Sequence, residues 1–415
     1  MALIVQKFGG TSMGSIERIQ NVARRALATH KAGNQVVVVV SAMAGETDRL
    51  LRLAGEIGHQ PQDREVDVLL ATGEQVSIAL LALAIRQQGG VARSFLGHQV
   101  QIRTDGIHGS ARIRTIDAQP VQETLAQGEI VVVAGFQGVD EQGDITTLGR
   151  GGSDLSAVAM AAALKADACE IYSDVDGIYT TDPNVCSRAR RIARISCEEM
   201  LELASLGAKV LQARSVEFAL KYKVALHCRS AFHDGEGSWV VPEGSEMEGS
   251  SVQGLEGAVV TGIAYDRNTA RISVSDLPDR PGSAAALFRP LAAAHINVDV
   301  IIQTPGLDGR TALSFTLPRN DADRAVQLTE GLRATLGFGA LIVDKQVAKV
   351  SVVGAGMRSQ PGVALRCFDA LGEAGINIFL ISTSEIKISC VIADRFTELA
   401  VRVLHDAFEL EKLPG

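Results

Sequence analysis

Two glycine-containing loops carry residue types suited to holding phosphate. Lys7-Phe8-Gly9-Gly10-Thr11-Ser12 lies between an apolar run and a helical pattern that begins near Ser15. Adjacent glycines let backbone N–H groups approach an anion with no Cβ in the way, and a helix N-terminus adds positive potential. A bare Gly-Gly would read more simply as a tight strand–helix turn. The flanking Lys7 ammonium and the hydroxyls of Thr11 and Ser12 favour an anion site. The second loop is Thr146-Thr147-Leu148-Gly149-Arg150-Gly151-Gly152-Ser153-Asp154, which opens a helical pattern over Ser153–Lys165. Gly151 and Gly152 again permit close backbone approach, and Arg150 offers a planar fork for a carboxylate. Asp154, taken alone, reads equally well as a helix cap. Gly207-Ala208-Lys209 presents a further lysine at the start of another helical stretch. Neither loop is a Walker A motif, because no Gly-Lys-Ser/Thr occurs in the chain.

The elements that must position these loops alternate along the first 230 or so residues. Leu3–Gln6, Val36–Ser41, Ile130–Ala134 and Ala168–Ser173 are short apolar runs read as strands. Ile16–Lys31, Val66–Gln87 and Ser153–Lys165 carry apolar residues at helical spacing. Such alternation predicts a mostly parallel sheet with helices on both faces, and ligands at the C-terminal ends of its strands. The palette agrees: aromatics make up only 4% of the 415 residues, against 46% hydrophobic and 21% charged. A net charge of −8 with no dense Lys/Arg run argues against nucleic-acid and membrane-surface partners. Met1–Val5 runs straight into the glycine motif, so it reads as a first strand rather than a leader. No segment is expected to span a membrane, since the best uncharged run, Ile78–Ile85, is too short. The six cysteines lie far apart with no metal-ligand spacing, which reads as reduced thiols in a cytoplasmic protein, with no metal site.

Beyond residue 232 the composition shifts. His233 to Gly257 is rich in Gly, Ser and Glu and reads as a linker, assigned to 233–262. An internal repeat follows: Ile272–Ile302 aligns without gaps on Val352–Ser382 at a constant offset of 80. Pro281/Pro361, Gly282/Gly362, Phe288/Phe368, Leu291/Leu371, Ile296/Ile376, Asn297/Asn377 and Ile301/Ile381 are among the identities. Each copy reads as strand, Pro-Gly turn, amphipathic helix, Ile-Asn turn and strand, a βαβ unit occurring twice. The modules are placed at 263–345 and 346–415, after a first domain at 1–232. Val353-Gly354-Ala355-Gly356 looks like the start of a dinucleotide fingerprint, but the third glycine is missing, so it reads as a turn in the repeat.

These motifs resemble the aspartate kinases. The likeness runs from Lys7–Ser12 through Val39-Val40-Ser41-Ala42-Met43, Thr72-Gly73-Glu74, Val133–Gly138, Thr146–Asp154 and Tyr172–Pro183, and the repeat is similar to tandem ACT modules ending in Ile381–Glu385. The resemblance implies a three-layer αβα amino-acid kinase domain with a mostly parallel sheet, followed by two α+β ACT-like modules. It implies transfer of the γ-phosphate of ATP, with Mg2+, to the β-carboxylate of L-aspartate. Lys7, Asp154 and Lys209 take the catalytic roles. Gly9, Gly10, Ser12, Ser41, Ser173, Asp174, Tyr179 and Asp182 join the two lysines around ATP. Thr47, Glu74, Arg150, Gly151, Gly152 and Ser153 hold aspartate.

The chemistry fits these assignments. A β-carboxylate is already ionised at neutral pH, so its attack needs no general base, and no histidine stands among the motif residues. The difficulty is bringing two anions together, which lysines, backbone N–H groups and Mg2+ resolve electrostatically. For the ACT modules the resemblance implies inhibition by lysine, threonine or both, at Asp279, Gln303, Asn377, Ile378, Ser384 and Glu385. It also implies oligomers formed through these modules and, in some relatives, a separate regulatory subunit, for which Met247 is a candidate internal start. Thr304, Ala312 and Gln360 depart from the family's usual Asn, Asp and His. The rival readings are a kinase of the same scaffold acting on another acid, and a catalytically silent amino-acid sensor. The second would predict eroded phosphate loops, yet Lys7, Arg150, Asp154 and Lys209 are all present.

Overall fold

The strand that opens the chain runs on to Phe8, so Lys7 lies within it rather than after it. Phe8 extends the strand because its ring is fully buried and stacks on Tyr172, with centroids 4.6 Å apart. The computed structural model describes residues 1–58, 63–208, 210–242, 259–306 and 309–412. Among them, an eight-stranded sheet runs from edge to edge as Arg194–Ser196, Ser238–Val241, Leu226–Ser230, Ala168–Ser173, Leu3–Phe8, Gln35–Val40, Ile130–Ala134 and Ala92–Phe95. All neighbours are parallel except Leu226–Ser230 and Ser238–Val241.

Alternation along the central strands explains the two helical layers. Val37, Val39, Val131 and Val133 pack with Ala157, Val158 and Ala161 of the helix Gly152–Leu164. Val36, Val38, Val40 and Val132 pack with Ile19 and Val22 of the helix Ile16–Lys31, and with Ile78, Leu81 and Ile85 of the helix Arg64–Gln87. Successive side chains of a strand point to opposite faces, so a valine run buried on both sides needs cover on both. Ser15 caps the first helix by accepting from the Arg18 N–H, with Glu17 in its first turn and Lys31 in its last. The Arg64–Gln87 helix is long and apolar enough to pass for a membrane span, contrary to the expectation from uncharged runs. It packs on the sheet and on two neighbouring helices, with Asp67 and Glu74 buried among its contacts.

A four-stranded sheet of Ile113–Thr115, Arg103–Thr104, Gln137–Val139 and Ile145–Thr147 leads into the second glycine loop. Part of the segment read as linker belongs to the first domain. Ser238–Val241 pairs with two strands of the large sheet, and Trp239 stacks on His227 with centroids 4.0 Å apart. Met247 lies outside the described residues, as do 243–258 in general.

The repeat forms a six-stranded sheet ordered Ile301–Pro305, Arg310–Pro318, Gly262–Pro278, Leu341–Val353, Lys387–Ala393, Ile378–Thr383. Each copy continues past the expected βαβ into a hairpin and a second helix. The strand after the first helix therefore lies at the sheet edge, with its hairpin partner between it and the first strand. The long strands Gly262–Pro278 and Leu341–Val353 run through both modules, and their pairing slips between Asp266 and Arg271. A cut at 345/346 thus falls inside a shared strand. Two apolar cores, one under Leu287, Leu291 and Phe315 and one under Cys367, Leu371 and Cys390, keep the modules distinct.

Candidate active site

Lys7 stands at the C-terminal end of the central strand, where its Nζ lies 2.6 Å from Asp154 Oδ1. Both side chains are largely buried, so each charge is held by the other rather than by water. Asp154 is therefore not the helix cap, which is Gly151: it lies in the first turn and fixes the ammonium at the end of the strand. A Cβ on Gly9 would sit 3.4 Å from that Nζ, and the glycine keeps the space above it open. The Gly9 N–H donates to the Tyr172 carbonyl, which ties the loop to the neighbouring strand. Ser12 is 2% exposed and its hydroxyl has no protein partner. A buried unsatisfied hydroxyl beside a lysine and a glycine loop suits a polar ligand such as a phosphate oxygen.

Across the loop, Glu74 Oε1 accepts from the Ala42 N–H at 2.9 Å, and Glu74 Oε2 is buried without a partner. Burial pushes this carboxyl up to about 7, against a smaller opposing pull from the Ala42 N–H. The preceding Gly73 makes the approach feasible, because a Cβ there would come within 2.8 Å of Ala42 Cβ. Ser41 bonds through its N–H to the Phe8 carbonyl, and Thr47 sits half-buried in the first turn of the helix Glu46–Ile57.

Gly151 adopts φ +74° and starts the Gly152–Leu164 helix. Gly151 and Gly152 have a packing reason. A Cβ on Gly151 would fall 2.0 Å from Gln212 Cγ, and one on Gly152 would fall 2.9 Å from Leu148 and Phe136 side-chain atoms. Ser153 is buried against Gly135. Arg150 is exposed and makes no ion pair among the described residues, leaving its fork available.

Ser173 ends the neighbouring strand and bonds the Val175 N–H, with Asp174 exposed beside it. Tyr179 donates its hydroxyl to Asp176 at 2.9 Å, and Asp182 accepts from the Asn184 N–H and from the Tyr265 hydroxyl. Lys209 lies outside the described residues. The end of the next strand, Leu226–Ser230, also borders this segment. The Ala231 N–H donates to the Ser173 carbonyl at 2.8 Å. Arg18 donates to the Thr11 carbonyl at 2.7 Å and lies over the exposed Phe232 ring. The rule that ligands sit at strand ends, applied to Leu226–Ser230, would have pointed there.

In the repeat, Asp279 and Gln303 line one cavity of about 420 Å3 at the first Pro-Gly turn. Ser283 in its wall has a buried hydroxyl without a partner. Asn377 and Ile378 lie at the start of the edge strand Ile378–Thr383, Ser384 and Glu385 just past its end, and Glu385 pairs with Arg358 at 3.1 Å. The cavity at the second Pro-Gly turn, about 390 Å3, is lined instead by residues including Gln360, Arg366, Phe408 and Lys412. Two of the departures from the family pattern, Thr304 and Ala312, face each other across one ladder.

The chain matches the amino acid kinase family over residues 2–230, and the ACT domain over 270–337 and again over 350–408. It is 52% identical to the aspartate kinase of Stutzerimonas stutzeri, over all of this chain and 99% of that one. It is 50% identical to aspartokinase 2 of Bacillus subtilis over the full length of both. The chain belongs to the aspartate kinases. Its fold superposes on Escherichia coli aspartokinase III in complex with aspartate and ADP, with a TM-score of 0.82 at 26% identity, covering 98% of this chain and 99% of that one. Against the same enzyme in complex with lysine and aspartate, over the same shares of the two chains, the TM-score is 0.76. The kinase thus carries the expected architecture, a mostly parallel amino-acid kinase domain and two ACT domains. Among the described residues of this aspartate kinase, no cluster of three or more His, Cys, Asp or Glu is placed to hold a metal. The acid at the phosphate loops, Asp154, is already engaged by Lys7.

Proposed function

We propose that this aspartate kinase moves the γ-phosphate of ATP to the β-carboxylate of L-aspartate between its two glycine loops, and that lysine, threonine or both inhibit it through the ACT modules. The buried Lys7–Asp154 pair carries the catalytic part of the reading. It joins the two loops at the C-terminal ends of the central strands and fixes a cation where negative charge must gather. Arg150 would take a substrate carboxylate in a bidentate grip. Glu74, once ionised, would accept hydrogen bonds from the α-ammonium, which selects an amino acid over a simple diacid. The β-carboxylate attacks as the anion it already is, and Lys7 with the loop N–H groups stabilises the transferring phosphoryl group. Mg2+, bound with ATP, would neutralise charge among the phosphates.

The regulatory part rests on the cavity that holds Asp279 and Gln303, with the unpartnered Ser283 hydroxyl in its wall. An acid, an amide and a hydroxyl there suit the ammonium and carboxylate of a free amino acid. Pairing with a second copy would use the edge strands Ile301–Pro305 and Ile378–Thr383, where the repeat-equivalent Ile301 and Ile381 are exposed. The test is ATP-dependent acyl-hydroxamate formation from L-aspartate with Mg2+, adding lysine and threonine singly and together. Suppression by either, lost in Asp279→Ala, supports both parts. Activity indifferent to both amino acids would reduce the modules to an assembly role.

A further inference from the structure

Glu74 and Arg150, the two residues read as gripping the substrate amino acid, sit on separate segments with no bond between them. One carboxylate links those segments. Asp67 is 1% exposed and lies seven residues before Glu74 on the helix Arg64–Gln87, about two turns back on the same face. It accepts from the Thr147 N–H at 2.9 Å and from the Thr147 hydroxyl at 2.5 Å, three residues before Arg150. It also accepts from the Gly109 N–H at 3.1 Å and meets His108 Nδ1 at 3.0 Å. Ala111, next along that segment, donates its N–H to the Thr147 carbonyl at 2.9 Å. Arg214 then closes the cage by donating to the carbonyls of Leu148 and Ala111 at 2.7 and 3.0 Å.

We infer that Asp67 is a positioning and specificity-determining residue: it sets the spacing between Glu74 and Arg150, and so the length of amino acid the site accepts. The helix is the ruler, with Glu74 at one mark and Thr147 anchored at the other. Strand Ile145–Thr147 otherwise pairs with Gln137–Val139 and is bonded at single points by Ala111 and Thr104, so among the described residues Asp67 is the one buried charge that ties it to the helix. A buried anion that collects several donors cannot give one up cheaply, which makes the anchor stiff. A stiff spacing is what a site needs to tell aspartate from glutamate, which differ by one methylene. Asp67 need not touch substrate to do this.

The inference rests on the assignment of Arg150 and Glu74 to substrate, so the experiment carries a control for that assignment. Steady-state kinetics of Asp67→Asn, Thr147→Val and Arg150→Ala are compared with the unmodified kinase, with thermal unfolding alongside. Expected for Asp67→Asn is a KM for aspartate at least tenfold higher and a KM for ATP changed less than twofold. The preference for aspartate over glutamate in kcat/KM should fall at least fivefold. Thr147→Val, which removes one donor and keeps the shape, should move the same quantities in the same direction by at least threefold, and it decides the matter if Asp67→Asn does not fold. A lower melting temperature with KM for aspartate and substrate preference unmoved, or equal rises in both KM values, overturns the inference. If Arg150→Ala also leaves the KM for aspartate unchanged, the substrate assignment itself has failed.

Discussion

Tyr265, in the strand Gly262–Pro278, donates its hydroxyl to Asp182 Oδ2 of the Tyr172–Pro183 segment across 3.0 Å. Burial and then the Asp182 charge push this phenol up to about 12, so it remains a donor at neutral pH. Next to it the Ile263 N–H donates to the Thr180 carbonyl at 2.7 Å, and Thr180 Oγ1 meets His405 Nε2 at 3.0 Å. Further along, Glu199 accepts from the Thr261 hydroxyl and from the Ala355 N–H, and Lys387 pairs with Glu202 at 2.9 Å. The segment that carries Tyr179 and Asp182 is therefore held from the ACT modules as well as from its own domain.

Replacing Tyr265 by Phe removes a hydrogen bond to a charged group, worth about 1.5 kcal/mol or more. If the contact transmits inhibition, the lysine or threonine concentration for half inhibition should rise by up to about tenfold. Inhibition curves of both proteins at the same ATP concentration measure this, and superimposable curves would remove Tyr265 from the route.

Lys7→Ala leaves Asp154 buried without its cation, and under the proposed function it also takes a cation from the transferring phosphoryl group. Loss of a preorganised charge at the transferring group lowers kcat by about a hundredfold to a thousandfold. Lys7→Arg should restore little, because a planar fork does not replace a point charge in a closed site. Retained kcat in the alanine variant would disprove the electrostatic mechanism.

If Glu74 holds the substrate's α-ammonium as proposed, aspartate binding depends on pH. Its carboxyl lies near 7 in the folded protein, above its ordinary 4.5. A raised folded value means that the protonated acid favours folding: the gain is full below about 4.5 and is lost as pH rises through about 7. The span corresponds to roughly 3 kcal/mol. On that assignment aspartate binding runs the other way, since the ionised carboxylate accepts from an ammonium far more strongly than the neutral acid does. The KM for aspartate should therefore fall between pH 6 and 8, and Glu74→Gln should flatten both profiles. A KM profile equally steep in the glutamine variant would assign the titration to another group.

Gly151→Ala meets both a left-handed backbone at φ +74° and a Cβ 2.0 Å from Gln212 Cγ. The backbone cost alone is about 1–2 kcal/mol, and the clash displaces Arg150 and Ser153 with it. Kinase activity should fall at least tenfold. Gly33→Ala, at φ +89° with no atom within 4 Å, isolates the backbone cost. It should lower the melting temperature and leave kcat/KM alone.

Much of the site was legible in the chain itself. The glycine loops, the strands that precede them and the helices that follow are local patterns, and the doubling of the C-terminal module is a direct comparison of the chain with itself. The helix Ile16–Lys31 has the bounds its periodicity predicts, and Gly152–Leu164 begins one residue before its expected start. The limits of the linker were less visible, because Ser238–Val241 is short and its strand character comes from partners rather than from its own alternation.

The sequence by itself determined which residues could do chemistry and that they would collect at strand ends, since both follow from side-chain type and from periods of two and 3.6 residues. Tertiary structure alone decided which of them meet. Lys7 at the end of a strand finds Asp154 in the first turn of a distant helix, Asp67 finds Thr147 at a separation of 80 residues, and Asp182 finds Tyr265 at a separation of 83. The interlocked long strands of the two modules are of the same kind. Contacts of this range leave no periodic trace in a single chain, because their geometry is set by how whole elements pack and not by the residues adjacent to them.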